Sequence, residues 1–182
     1  MRIISGVRRG KKLMTLGGQN TRPTLERVKQ SIFDTIQMQI QGRKVLDLFA
    51  GSGQMGLESL SRGAEFCYFN DIEKAACKVV DHNIKCCGFE KISKLYCQSY
   101  EKCVKMLETQ CVKLSLVFID PPYGYDLVNK SLALLLRSGV LQKGTLLVCE
   151  SALQDNIKFD DNFLLLKTQN YKTLKIHFLE MR

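Results

Sequence analysis

A mostly parallel α/β sheet with helices on both faces is the architecture these 182 residues imply, and three features point to it. Short apolar runs alternate with stretches of helical spacing, the way a chain builds parallel strands joined by crossover helices. The runs are almost continuously apolar, as strands covered on both faces must be. The first of them ends in a glycine-rich turn that opens a helix.

Taken in order, "RIISGVRRGKKLMTL" turns at Gly6 and Gly10 and reads as a small basic hairpin. "GGQNTRPT" is a loop in which Thr24 is placed to cap the next helix, where Val28, Ile32, Phe33 and Ile36 share one face. Gly42 closes that segment. Strand 44–50 ("KVLDLFA") leads through "GSGQMG" into a helix that runs to Arg62. Strand 65–71 precedes a helix from Glu73 to about Cys87, and strand 94–99 precedes another. Strand 114–120 ("LSLVFID") is followed by a helical stretch from Asp126 to Arg137, then strand 144–150. The last segment reads as two strands and a turn, an antiparallel addition at one sheet edge. Residues 1–20 form a basic hairpin extension and 21–182 the main domain.

Composition narrows the setting. Hydrophobic residues make up 45% and charged residues 25%, ordinary for a soluble globular chain. No apolar run approaches the ~20 residues of a membrane span, and the basic start lacks a secretory core, so a cytoplasmic location is the expectation. The eight cysteines show no C-x-x-C spacing, and reduced thiols are the default there. His82 and Cys86 can share a helix face, but no further ligands are placed by spacing, so no metal is expected.

Charge is uneven. Net charge is +9, yet residues 1–30 hold eight basic side chains (Arg2, Arg8, Arg9, Lys11, Lys12, Arg22, Arg27, Lys29) against Glu26 alone. Such a block suits a polyanion, nucleic acid before an anionic membrane surface.

Parallel sheets bind ligands beyond the carboxyl ends of their strands. Those ends carry Asp47 with the glycine loop, Asp71, Ser99, and Asp120 with two prolines and Tyr123. Gly51, Gly53 and Gly56 form G-x-G-x-x-G, letting backbone approach a ligand at a helix N-terminus. Asp71, twenty residues after Gly51, can accept from both ribose hydroxyls. The loop alone fits a nicotinamide dinucleotide, S-adenosylmethionine or a tight structural turn. Asp47 favours S-adenosylmethionine: a carboxylate is unfavourable beside pyrophosphate and favourable beside an amino group.

The stretch Asp120–Pro121–Pro122–Tyr123 carries the chemistry. An exocyclic base amine is a poor nucleophile, because its lone pair is delocalised into the ring. Two acceptors on its N–H groups localise that pair, and the Asp120 carboxylate and Pro121 carbonyl can supply them. Each proline biases the residue before it toward extended backbone, which preorganises the acceptors. Tyr123 offers a ring face for stacking.

With these residues in view, the chain resembles the bacterial small-subunit ribosomal RNA guanine-N2 methyltransferases. The resemblance rests on "MRIISGVRRGKKL", "TRPTLERVKQSIFDTI", "DLFAGSGQMGLESLSRGA" and "VFIDPPY", and covers nearly the whole chain. It implies a Rossmann-like class I methyltransferase fold with a seven-stranded sheet, S-adenosylmethionine as donor, and guanine 966 of 16S ribosomal RNA, free or in a 30S assembly particle, as acceptor. It places Asp47, Phe49, Ala50, Gly51, Ser52, Gly53, Asp71, Ile72, Ser99 and Tyr100 at the cofactor. Asp120, Pro121, Pro122 and Tyr123 fall at the guanine, and Arg2, Arg8, Arg9, Lys11, Lys12, Arg22 and Thr24 near the RNA. Ser99 stands where relatives carry Asp or Asn. The same Asp-Pro-Pro-Tyr chemistry also serves adenine N6 in DNA or RNA, or a glutamine amide. A nicotinamide oxidoreductase and a non-catalytic RNA-binding module are the readings from other classes.

Overall fold

The computed structural model describes residues 1–16 and 23–182; Arg22 and most of the expected "GGQNTRPT" loop lie outside them. Helices α1 (Pro23–Ile36), α2 (Gln54–Ser61), α3 (Lys74–Cys87), α4 (Tyr100–Thr109) and α5 (Leu127–Ser138) cover a sheet of strands β1 (Lys44–Asp47), β2 (Phe66–Asp71), β3 (Ser93–Cys97), β4 (Leu114–Ile119), β5 (Leu141–Ala152), β6 (Phe163–Asn170) and β7 (Leu174–Met181).

The strands stand in the order β3-β2-β1-β4-β5-β7-β6. The first five are parallel, and β7 runs antiparallel between β5 and β6. The seven-stranded sheet and its antiparallel edge match the expectation, with strand ends differing by a few residues. The largest change is at β5, which runs twelve residues and ends past Glu150.

Alternation along each strand splits the interior into two cores. Val45, Phe69, Leu116, Phe118 and Val148 point to the side of α1, α2 and α3, where Ile32, Phe33, Leu57 and Val80 meet them. Leu46, Val117, Ile119 and Leu147 point to the side of α4 and α5, against Val104, Leu107, Leu132 and Leu135.

Helix α1 begins at Pro23, the residue type suited to a first helical position. Thr24 therefore sits inside the helix rather than capping it, a correction set by the proline's fixed φ; its side chain lies outside the described residues.

The N-terminal hairpin is docked on the domain. Arg2 and Lys12 pair across it, and Ile3 and Leu13 enter the α1–α3 core. Gly6 packs so tightly that a Cβ would lie 1.7 Å from the Ser61 carbonyl oxygen. The Glu58 carboxylate of α2 accepts the backbone N–H groups of Ile4 (2.8 Å) and Ser5 (3.0 Å), and pairs with Lys29 (2.9 Å) and Arg62 (2.8 Å). Asn83 of α3 clasps Met14 through both its N–H and its carbonyl, and donates to the Ser52 carbonyl at 2.9 Å. With the hairpin over its outer side, α2 is buried from Met55 to Ser61.

Candidate active site

Connections leave β1 toward β2 and β3 on one side, and β4 toward β5 on the other, so the switch point lies between β1 and β4. Asp47 ends β1 opposite Phe118 of β4, and the Leu48 N–H reaches the Phe118 carbonyl at 3.1 Å. The glycine loop and the Asp120 segment thus open on the same end of the sheet.

The loop is held from below. Gly53, with φ of 77°, starts α2, and its N–H closes on the Ala50 carbonyl at 2.7 Å. Gly56 faces β2, where a Cβ would lie 2.3 Å from the Phe69 ring, so its lack of a side chain sets helix–sheet contact. Gly51, with φ of 56°, faces open space: a Cβ there would meet nothing within 4 Å. Ala50 is buried and donates its N–H to the Asn70 carbonyl. Phe49 and Tyr100 pack with ring centroids 5.7 Å apart.

Asp47 is buried and accepts the Gly56 N–H at 3.0 Å. Burial pushes its carboxyl up to about 7; the Gly56 N–H opposes this and the charge of Asp71 adds to it. One Asp71 oxygen takes the Gly51 N–H at 2.8 Å and the other the Glu73 N–H at 2.9 Å, tying the loop to the start of α3. Beside it Ile72 is 65% exposed, an apolar surface at the mouth of the loop. Ser99 caps α4, accepting the Lys102 N–H at 3.5 Å. The Gln98 Nε2 next to it is buried without a partner, so a ring acceptor on a ligand would satisfy it. An open loop, a carboxylate tied to it, an exposed apolar residue and an orphan amide together fit an adenosine-bearing cofactor.

At the end of β4, Pro121 is buried while Asp120, Pro122 and Tyr123 are exposed. Asp120 is exposed as a residue, and the charged groups that act on its carboxyl are Glu150 and Asp47. Desolvation, then the charges of Glu150 and Asp47, hold its pKa well above the usual carboxylate range. The Tyr123 hydroxyl donates to Glu150 Oε1 at 2.5 Å. Desolvation also raises Glu150, while hydrogen bonds from Tyr123 and Asp120 oppose the rise. Among the described residues, no lysine or arginine pairs with either carboxylate.

Sequence reasoning missed Glu150. The available signal was its place at the end of an apolar run, on a strand that lies beside β4.

Arg2, Arg8, Arg9, Lys11 and Lys12 are all exposed on the docked hairpin. Arg8 is pinned, its Nε reaching the Cys87 carbonyl at 2.5 Å and its guanidinium lying 5.8 Å from the Phe89 ring centroid. His82 and Cys86 do meet on α3, at 3.3 Å. Among the described residues they gather no third His, Cys, Asp or Glu for a metal. No helix among the described residues is long and apolar enough to cross a membrane.

Comparison with known proteins places this geometry. Residues 1–180 match the family described as Conserved hypothetical protein 95. A Bacillus subtilis protein named provisionally as an rRNA methyltransferase is 36% identical over 150 residues, covering 82% of each chain. The Ribosomal RNA small subunit methyltransferase D of Haemophilus influenzae is 32% identical over 169 residues, covering 92% of this chain and 86% of that one. The solved structure of an Escherichia coli protein, described provisionally as a methyltransferase, superposes with a TM-score of 0.86 at 25% identity, covering 100% of this chain and 98% of that one. The chain belongs to the Conserved hypothetical protein 95 family.

Proposed function

We propose that this protein is an S-adenosylmethionine-dependent methyltransferase of small-subunit ribosomal RNA, and that its acceptor is the exocyclic N2 amine of guanine 966. The observation that carries the reading is the Asp120–Tyr123 segment at the end of β4, across the switch point from the glycine loop and Asp71. The curated relatives named as rRNA methyltransferases support the RNA class.

Bound S-adenosylmethionine supplies an electrophilic methyl group on a sulfonium. Asp71 has lone pairs beyond those given to Gly51 and Glu73, and receives the ribose hydroxyls. Asp47 places negative charge behind the loop, where the cofactor's amino group is positive. Ile72 gives the adenine an apolar face. Ser99 is engaged in capping α4, so the adenine edge falls to backbone and to Gln98.

On the acceptor side, Asp120 and the Pro121 carbonyl take the two N–H groups of the amine, while Tyr123 stacks on the ring. The N2 lone pair takes the methyl as the carbon–sulfur bond breaks, and the amine's surplus proton leaves toward Asp120. That role needs Asp120 ionised. A target base must leave its stack at a cost of a few kcal/mol, and the exposed hairpin cations hold the RNA phosphates while it does.

The test is transfer of radiolabelled methyl from S-adenosylmethionine to unmodified naked 16S RNA and to assembled 30S subunits. Label in either RNA is the expected result. Label in neither, or tight binding of a nicotinamide dinucleotide in place of S-adenosylmethionine, would overturn the reading.

A further inference from the structure

The second carboxylate at this site has no role in the chemistry above. Glu150 ends no loop and caps no helix. It stands on β5 with one oxygen on the Tyr123 hydroxyl and the other carboxyl, Asp120, within hydrogen-bonding influence. Beside these residues a cavity of about 260 Å³ opens at the ends of β4 and β5, lined by Pro121, Tyr123, Glu150, Gln154 and Asn156 among others. It falls below the ~300–1,000 Å³ of pockets for drug-sized ligands and suits one flat ring.

A buried carboxylate without a cation is costly unless donors reach it. An ionised carboxylate only accepts hydrogen bonds, on two oxygens with about four lone-pair directions. Purines differ in what lies next to the amine. In guanine the N2 amine adjoins N1–H, a donor. In adenine the N6 amine adjoins N1, an acceptor. Two adjacent carboxylates therefore match the two adjacent donors of guanine, and set an acceptor against an acceptor for adenine.

We propose that Glu150 is a specificity-determining residue that selects guanine, its carboxylate accepting the ring N1–H while Asp120 holds the neighbouring amine. The inference rests on the guanine reading above and extends it. Tyr123 serves both residues, its ring against the base and its hydroxyl fixing one oxygen of Glu150.

The test uses RNA carrying either guanine or 2-aminopurine at the methylated position. 2-Aminopurine keeps the amine and replaces N1–H with a bare acceptor. Leaving an acceptor unmatched costs about 1–3 kcal/mol, so wild-type protein should prefer guanine by roughly 10- to 100-fold in kcat/KM. Glu150→Gln presents an amide that can donate, and should collapse or reverse that ratio. Glu150→Asp keeps a carboxylate and should keep the preference at a lower rate. Tyr123→Phe keeps the ring but frees Glu150, and should narrow the preference without reversing it.

A Glu150→Gln protein that binds S-adenosylmethionine normally and retains the wild-type guanine preference would overturn the inference alone. A wild-type protein that methylates adenine would overturn it together with the proposed acceptor.

Discussion

Two carboxylate sites in this protein treat negative charge in opposite ways. Glu58 is fully enclosed beneath the hairpin, and four donors meet it: Lys29, Arg62 and the N–H groups of Ile4 and Ser5. Asp120 and Glu150 stand at the cleft with no cation paired to them among the described residues, and only Tyr123 donates to them from another side-chain type. The first arrangement is complete and fixes a hairpin to a helix. The second is incomplete, and on the proposed reading a purine edge supplies its missing donors. Saturated carboxylates build; unsaturated ones receive.

The contrast can be tested at several points. The largest effect belongs to Asp120→Ala, which should lower single-turnover methyl transfer by roughly 10²–10⁴-fold, the range for loss of a positioned proton-accepting group. Cofactor affinity, measured by calorimetry, should stay within about threefold. Next comes Glu58→Ala. Stranding Lys29 and Arg62 in a dry interface should cost about 3–5 kcal/mol of stability, seen as a lower denaturation midpoint. If the two variants exchanged phenotypes, the division between building and receiving would be wrong.

The pH dependence has a defined sign. Asp47 is raised from 3.8 to about 7, so in the folded protein it holds a proton below that pH, while the unfolded chain has already lost it. Folding stability contributed by this group therefore falls as pH rises from about 4 to about 7, and is flat above. A cationic amino group favours ionised Asp47. S-adenosylmethionine affinity should then weaken below pH 7, by up to about tenfold per unit, with proton release on binding measurable in buffers of different ionisation enthalpy. Affinity flat from pH 5 to 8 would contradict the assignment. Asp120 has the same direction of shift, so methyl transfer should rise with pH as its carboxyl ionises.

The smallest effect is at the surface. Replacing Arg9, Lys11 and Lys12 with alanine should leave the melting temperature unchanged and weaken RNA binding. The salt slope should fall by about 0.7–0.9 per phosphate contact removed.

Much of the receiving region was legible along the chain, and little of the building region was. The Asp120 segment announces itself because adjacent prolines after an apolar run have few structural uses, and the glycine loop because Gly51, Gly53 and Gly56 each meet a local demand. Glu150 was harder: its partners Asp120 and Tyr123 lie about thirty residues earlier, and only the β4–β5 pairing brings them together. The hairpin's docking was hidden for a different reason. Glu58, Ser61 and Asn83 look like solvent-facing helix residues, yet all are buried, because their partners are mostly backbone groups of a segment that pattern alone would leave as an independent arm. Side chain–backbone contacts across fifty or more residues leave no periodic trace.

The most direct test of the central claim, that the unsaturated carboxylates at the ends of β4 and β5 receive a guanine amine, is nucleoside analysis of unmodified small subunits after incubation with S-adenosylmethionine. Wild-type protein should yield N2-methylguanosine, and Asp120→Ala almost none despite normal cofactor binding. Methylated adenosine from the wild type, or undiminished N2-methylguanosine from Asp120→Ala, would contradict the account.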